Sequence, residues 1–166
     1  TALITLKCFS NQLTSLDVSN NTLLTLLLAH SNQLTNLDVS SNTALTNLQC
    51  HSNNLTALDV SANTALITLK CFSNQLTSLD VSSNTALTEL NCGRNQISTL
   101  DVSANTALTT LYCYENQLTY LNMKNGVTDQ LTNFIATDNS LTCIEVNADD
   151  VDYATANWTS IDAGVT

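Results

Sequence analysis

Proline is absent from this chain of 166 residues, and glycine occurs only three times. Disordered and collagen-like chains are rich in these residues, so the composition excludes both classes. No apolar run is long enough to span a bilayer, which argues against direct membrane insertion. The hydrophobic fraction of 43% is enough for a continuous core. We therefore expect a single elongated, folded domain.

Basic residues are scarce as well. Four Lys and Arg residues stand against fourteen Asp and Glu residues, and the formal net charge is −10. Binding to nucleic acid or to anionic lipid needs clustered positive charge. The sequence therefore predicts neither kind of partner, and it indicates an acidic surface that keeps the protein soluble.

The dominant feature of the chain is a repeat of 21 residues. Residues 64–82 read TALITLKCFSNQLTSLDVS, and residues 1–19 are identical to them. A seventh, degenerate copy comes two residues late, near Leu131. The looser copies begin at Thr22, Thr43, Thr85 and Thr106. A fixed period of this length predicts a solenoid in which each copy forms one coil.

Each copy reads L-x-x-L-x-C-x-x-N-x-L-x-x-L-D-V-S-x-N-T-A, and its first eleven positions match the leucine-rich repeat consensus. Leu69 and Cys71 alternate with Thr68, Lys70 and Phe72, which predicts a strand. Stacked coils would place these strands about 4.8 Å apart in a parallel, in-register sheet. Two apolar columns should then face inward: Leu6, Leu27, Leu48, Leu69, Leu90, Leu111 and Phe134, and Cys8, Ala29, Cys50, Cys71, Cys92, Cys113 and Ala136.

The predicted fold is a β-rich solenoid, a right-handed leucine-rich repeat coil. One parallel sheet should form the concave face, with short extended segments on the convex face and little helix. Seven coils should occupy residues 1–146, the last one being irregular over 127–146. Residues 147–166 should form a C-terminal capping segment, with Val151, Tyr153, Trp158 and Ile161 lying across the last coil.

Two polar columns have structural interpretations. A buried amide can donate and accept at once, so an asparagine column should satisfy backbone groups where the chain turns. An aspartate column should accept Asx-type hydrogen bonds from the turn that follows it. The asparagines are Asn11, Asn32, Asn53, Asn74, Asn95, Asn116 and Asn139, and the aspartates are Asp17, Asp38, Asp59, Asp80 and Asp101, continued by Asn122 and Glu145.

Five of the six cysteines lie in one inward column. Their Cβ atoms should point in parallel rather than toward each other, so we expect a reduced ladder of small apolar side chains instead of disulfides. A spacing of 21 residues matches no zinc motif, and no cofactor or metal is predicted. Cys143 should face outward, where it could pair with a cysteine outside this chain. His30 and His51, which are adjacent in the stack, could bind an adventitious metal ion.

The repeat resembles the 21-residue, cysteine-ladder leucine-rich repeat of bacterial surface proteins, of the type found in internalin J. The tail LTCIEVNADDVDYATANWTSIDAGVT is similar to the C-terminal flank of flavobacterial-type secreted repeat proteins. The resemblance implies a secreted or cell-surface adhesive protein, and it implies a cysteine beyond the tail that could be the partner of Cys143. Because the chain begins inside a repeat, without a cap over Leu3 and Leu6, we expect it to be part of a longer polypeptide.

The outward positions of the sheet are the candidate binding surface for an unidentified protein or glycan. Aromatic and imidazole side chains form one column there, and they suit protein hot spots or stacking on sugars. They could equally be structural, each ring covering its neighbours along the ladder. The candidate residues are Phe9, His30, His51, Phe72, Tyr112 and Tyr114, with Lys7 and Lys70.

Two functions other than a binding and adhesion module are compatible with the sequence. Ranks of threonine, such as Thr35, Thr56 and Thr77, could match an ice lattice. The solenoid could also be a structural spacer in a larger surface protein. No nucleophile elbow, phosphate loop or metal motif is present, and the sequence predicts that the protein is not an enzyme.

Overall fold

The structure, a computed structural model, describes residues 2–165. Ten short strands lie among these residues together with one short α-helix, α1, at Val151–Asn157. The strands are β1 (Thr5–Lys7), β2 (Leu26–Leu28), β3 (Asn47–Gln49), β4 (Thr68–Lys70), β5 (Glu89–Asn91), β6 (Thr99–Asp101), β7 (Thr110–Tyr112), β8 (Tyr120–Asn122), β9 (Asn133–Ile135) and β10 (Ile144–Glu145).

Seven of the strands form one parallel sheet in the order β1-β2-β3-β4-β5-β7-β9. Each pairs in register with the equivalent strand of the next coil, so Leu69 lies between Leu48 and Leu90. The late seventh copy returns to the same register, with Phe134 opposite Leu111. The predicted solenoid of about seven coils, with a parallel sheet and little helix, is confirmed.

The core is a stack of leucines and cysteines inside the coils. In β4 the middle residue, Leu69, is fully buried while its neighbours Thr68 and Lys70 are partly exposed, which is the alternation expected of a strand. Cys71 is also fully buried. Each buried aliphatic side chain contributes roughly 1.5–3 kcal/mol. Since one coil has no second layer of its own, this gain depends on stacking.

A tight turn follows each strand of the main sheet, where the sequence predicted that the chain turns, but its backbone conformation was not anticipated. Within residues 2–165 seven residues other than glycine have positive φ, and they occupy equivalent positions in successive coils. Serine, arginine and glutamate rarely adopt this conformation, so the residue type gave no signal. These residues are Ser10, Ser31, Ser52, Ser73, Arg94, Glu115 and Asp138.

A second parallel sheet, in the order β10-β8-β6, forms on the return side of the last three coils. Leu121 of β8 pairs with Leu100 on one side and with Ile144 on the other. The sequence predicted extended segments here but gave no reason to distinguish these coils from the earlier ones. The two-residue delay of coil seven is accommodated by Gly126, at a φ of 71°, and a 3₁₀ turn at Thr128–Gln130.

The tail crosses the end of the last coil. The Trp158 ring packs on the Phe134 ring with centroids 4.5 Å apart, and Ile161 forms a parallel bridge with Ala136. Tyr153 is partly buried, whereas Val151 differs from the expectation because it is 49% exposed. The contacts of Trp158 and Ile161 with the core shield part of the final coil from solvent.

Candidate binding surface

The asparagine column fixes the backbone beside the candidate surface. Asn74 Nδ2 donates to the carbonyl oxygens of Cys71 and Cys50, at 3.0 and 3.1 Å. Asn74 Oδ1 accepts from the backbone N–H of Leu55 at 3.0 Å. One side chain thus satisfies backbone groups of its own coil and of the preceding one. The same contacts recur from coil to coil, so the residues just after each strand are held in register.

Four rings form a continuous stack beside this column, and we call them the ring stack: Phe9, His30, His51 and Phe72. Successive ring centroids lie 4.8, 4.3 and 4.1 Å apart, and each pair is within 10° of parallel. These spacings are close to the distance of about 4.8 Å between neighbouring strands. Equivalent side chains with equivalent backbones therefore stack face to face. The rings do cover one another, as the structural interpretation predicted, and a binding role is still a prediction.

The two histidines are anchored through Nδ1. His30 Nδ1 lies 3.3 Å from Ser31 Oγ, and His51 Nδ1 lies 3.2 Å from Ser52 Oγ. Burial within the stack lowers the pKa of His51 to about 4, and the charges of His30 and Lys70 add to this effect. Burial also lowers the pKa of His30. Both imidazoles are therefore neutral at pH 7, with Nε2 as their second polar atom.

Tyr114 occupies a different position from the four stacked rings. A Cβ atom at Gly93 would lie 2.7 Å from Tyr114 Cε1, so the tyrosine ring fills the space that a side chain at residue 93 would need. The Arg94 guanidinium lies 5.9 Å from the Tyr114 ring centroid and forms an ion pair with Glu115 at 2.9 Å. The sequence placed Tyr114 in one column with Phe72. In the structure it lies two coils beyond Phe72 in that column, with its ring against Gly93, the intervening member.

Lys7, Lys70 and Tyr112 end strands β1, β4 and β7, in the column next to the ring stack. Lys70 Nζ lies 2.9 Å from Glu89 Oε1, and both side chains are about one-third exposed, at 29% and 30%. The eight candidate residues therefore lie in two adjacent columns at the carboxyl ends of the strands of one sheet. Their proximity follows from the repeat, while their role in binding is a prediction.

The aspartate column lies on the other side of each coil. Oδ1 of Asp59 accepts from the backbone N–H of Ser61 at 2.9 Å, and Asp80 makes the same bond with Ser82. These hydrogen bonds to the following serine lower the pKa of both carboxyl groups. The Asx-type interpretation is confirmed, and the aspartates are fixed anions at neutral pH.

A second buried asparagine column was missed. Asn63 Nδ2 donates to the carbonyls of Val39 and Asn42 at 3.0 and 2.9 Å, and Asn84 and Asn105 repeat this pattern. The sequence feature that could have revealed this column is the asparagine that recurs in the N-T-A step of the repeat. In the tail, Asp162 accepts from the backbone N–H groups of Asn139 and Leu141 at 2.9 and 3.0 Å. It thereby supplies the acceptor that an asparagine gives in earlier coils.

The thiol groups are free throughout residues 2–165, and Cys143 is exposed. Burial raises the pKa of Cys50 and Cys92 to about 12, so these thiols are protonated and act as small apolar side chains. Within the described part of the chain, no group of three or more His, Cys, Asp or Glu residues could hold a metal ion.

Threonine side chains are exposed in the ranks that raised the possibility of ice binding. Thr35, Thr56 and Thr77 are all exposed. Some hydroxyls of these ranks are used internally, since Thr119 Oγ1 donates to the carbonyl of Ser98 at 3.3 Å. Ice binding is therefore an untested prediction, which a thermal-hysteresis measurement would decide.

Comparison with solved structures gives matches over most of the chain. The functional domain of InlJ from Listeria monocytogenes, which includes a cysteine ladder, is 39% identical over 86% of this chain and 38% of that one, with a TM-score of 0.63. The chain is a leucine-rich repeat solenoid. No family model matches this sequence, and no curated protein matches it.

Two further structures share the leucine-rich repeat fold at higher TM-scores. The internalin InlF from Listeria monocytogenes is 28% identical, covers 84% of this chain and 43% of that one, and gives a TM-score of 0.74. The ectodomain of the plant membrane receptor kinase GASSHO1/SCHENGEN3 from Arabidopsis thaliana, in complex with CASPARIAN STRIP INTEGRITY FACTOR 2, is 25% identical over 85% of this chain and 19% of that one, also at 0.74.

The leucine-rich repeat described here spans less than half the length of each of these three chains. Its similarity to internalins points to a protein-binding or adhesion module. In the described range of the chain, α1 is only seven residues long, and no helix has the length and apolar character to cross a membrane.

Proposed function

We propose that this solenoid is a non-catalytic binding module that presents the outward side of its seven-stranded sheet to a protein partner at a bacterial surface. The observation that carries the proposal is where the coils differ from one another. All seven contribute a strand to one parallel, in-register sheet, so the fold makes the same demand of equivalent positions in these strands. A position whose residue type varies freely from coil to coil is therefore not constrained by the fold.

The last residue of each main-sheet strand changes in charge, size and polarity, whereas the aspartate column on the return side is constant over its first five coils. The strand-end residues are Lys7, Leu28, Gln49, Lys70, Asn91, Tyr112 and Ile135. The aspartates are needed for their hydrogen bonds to the following serine, whereas the fold makes no equivalent demand on the strand-end side chains. A surface that is individual at each coil suits recognition of one particular partner.

Two comparisons support a protein partner. The plant receptor ectodomain has the same fold and forms a complex with CASPARIAN STRIP INTEGRITY FACTOR 2. The similarity to InlJ and InlF supports a bacterial surface location. The ring stack favours protein over glycan, because the inner rings have both faces covered and cannot stack on a sugar.

The proposal is tested by site-specific photo-crosslinking. A photoreactive amino acid is placed at Gln49 on the sheet or at Ala57 on the exposed return side of the same coil. Each protein is irradiated with surface proteins of candidate host cells, and a glycan array is probed in parallel. We expect one protein to be crosslinked from position 49 and not from position 57.

Equal crosslinking from both positions would contradict the use of the sheet. Binding confined to the glycan array would contradict a protein partner. Because Ala57 lies in the same coil as Gln49, it controls for expression, folding and probe chemistry.

A further inference from the structure

The charges of the first four coils lie on two separate sides of the solenoid. Between residues 2 and 84 the carboxylates are Asp17, Asp38, Asp59 and Asp80, all in the aspartate column. The cationic side chains in the same range are Lys7 and Lys70, and they lie with the neutral imidazoles of His30 and His51 in the two columns at the carboxyl ends of the main-sheet strands. In a protein of net charge −10, these two columns carry no acid over the first four coils.

We call this surface the basic strip and define it by Lys7, Phe9, His30, His51, Phe72 and Lys70. Stacking covers both faces of the two imidazole rings, at 4.8, 4.3 and 4.1 Å. What a ligand can reach is therefore ring edges, which carry partial positive charge, and the second nitrogen of each imidazole. Ring edges and ammonium groups favour a ligand rich in negatively charged acceptors.

The strip already holds one carboxylate. Lys70 Nζ and Glu89 Oε1 are 2.9 Å apart where the strip meets coil five. Beyond this contact acids and bases mix, as in the pair of Arg94 with Glu115. The surface available to an external carboxylate thus runs from Lys7 along the imidazole edges, and the pair with Glu89 marks its far end.

We propose that the basic strip binds an acidic, extended segment of a protein partner. This rests on the proposed function and narrows it to one edge of the sheet and one ligand chemistry. Aspartates on the far side of the coils do not prevent such binding at physiological ionic strength, because the screening length there is about 8 Å. The side chains of Lys7 and Phe9 are exposed, whereas those of His30, His51 and Lys70 are partly buried.

The test uses fluorescein-labelled hexaglutamate as the probe, with hexaglutamine as the uncharged control. Fluorescence anisotropy is measured at physiological salt with the full chain. We expect hexaglutamate to bind and hexaglutamine not to bind. Lys7→Glu should weaken binding by at least about fivefold, since it places a like charge beside the ligand. The variant K7Q/H30Q/H51Q should abolish it.

The matched control is D17N/D38N/D59N, which removes three charges from the opposite side and should leave hexaglutamate binding unchanged or tighter. Lys7→Glu changes an exposed residue, so it keeps the test valid if the triple strip variant folds poorly. Failure of hexaglutamate to bind, or binding unchanged by Lys7→Glu, overturns the proposal. So does binding of a sulfated glycan fragment without binding of hexaglutamate.

Failure of this proposal is distinguishable from failure of the proposed function. If a protein crosslinks from Gln49 but hexaglutamate does not bind, the sheet is a binding surface and the acidic ligand is wrong. If hexaglutamate binds through Lys7 and no protein crosslinks from Gln49, the strip recognises carboxylates and the protein-binding function of the sheet is contradicted.

Discussion

At the scale of single residues, one amide per coil joins neighbouring coils. Asn74 makes three donor contacts and one acceptor contact with backbone groups of its own coil and the preceding one. Removing such a side chain leaves partly buried backbone groups without a partner, and each of these carries a desolvation penalty.

We therefore expect Asn74→Ala to lower the free energy of unfolding by roughly 1–3 kcal/mol. The measurement is urea denaturation followed by circular dichroism. Gln75→Ala, at the exposed neighbouring position, is the control and should have little effect. An unchanged midpoint for Asn74→Ala would contradict the role of the amide.

The ring stack predicts a pH dependence of stability. The pKa of His51 is lowered to about 4 in the folded protein, against an ordinary value near 6.5, because burial disfavours the charged ring. The unfolded chain binds a proton first as pH falls, so this stability is present above pH 6.5 and is lost on going down toward pH 4.

The expected loss is about 1 kcal/mol, since solvent at the ring edge screens the charge. Urea midpoints measured between pH 7 and pH 4.5 should fall in the wild type and fall less in His51→Gln. The aspartate column acts in a separate, lower window, because its carboxyl pKa values are lowered below the ordinary value. Equal pH profiles for the two proteins would exclude His51 as the source.

Gly93 and Tyr114 form a pair in which one residue makes room for the other. Gly93→Ala would place a methyl group 2.7 Å from Tyr114 Cε1, so the ring has to move. Overpacking of this kind costs typically 1–3 kcal/mol. In a double-mutant cycle, the cost of Gly93→Ala should largely disappear in a Tyr114→Ala background. A cost that persists there would place the strain in the backbone instead.

At the scale of elements, the strands and the positions of the turns could be predicted, and the backbone conformation of the turns could not. The leucine, cysteine and asparagine columns follow from a period of 21, since equal spacing in sequence becomes alignment in space. The positive φ of Ser73 or Arg94 is imposed by the coil and not by the residue type, so the sequence carried no sign of it.

For the candidate surface as well, the sequence predicted which residues share a column but not how their side chains contact one another. Membership of Phe9, His30, His51 and Phe72 in one column could be predicted from the period alone. Their face-to-face contact could not, because it depends on side-chain rotamers. The position of the Tyr114 ring over Gly93, its neighbour in the same column, could not be predicted either, since it also depends on the side-chain rotamer. Asp162 was missed because the tail does not follow the repeat spacing.

We propose that residues 147–166 act as a C-terminal cap, and Asp162 tests this. Its carboxylate accepts from Asn139 and Leu141 at 2.9 and 3.0 Å. Asp162→Ala should destabilise the end of the solenoid by about 1.5–3 kcal/mol, the range for hydrogen bonds to charged groups. Hydrogen exchange at the Leu141 amide should become faster, while exchange at Leu55 in the third coil should not change. Equal acceleration at both sites would indicate global unfolding rather than loss of a cap.

At the scale of the whole molecule, stacking closes the interior to reagents. Cys50, Cys71, Cys92 and Cys113 are fully buried, and burial raises the pKa of each of them. The thiolate is the form of cysteine that reacts with thiol reagents. These buried, protonated cysteines should therefore be inert in the folded protein.

With Ellman's reagent the native protein should show one fast thiol, Cys143, and a slower one, the partly exposed Cys8. All six should react after denaturation without added reductant. Reaction of fewer than six in denaturant would reveal a disulfide and contradict the reduced ladder.

The identity of residues 1–19 and 64–82 provides an internal standard for cooperativity. Leu69 is fully buried between two neighbouring coils, whereas its counterpart Leu6, at the end of the sheet, is only partly buried. Local propensity is the same for both copies, so any difference in amide protection between them reports only what adjoining coils add. A single exchange experiment on the unmodified protein would thus separate the intrinsic folding term of a coil from its coupling to neighbours, the two parameters of a one-dimensional Ising description.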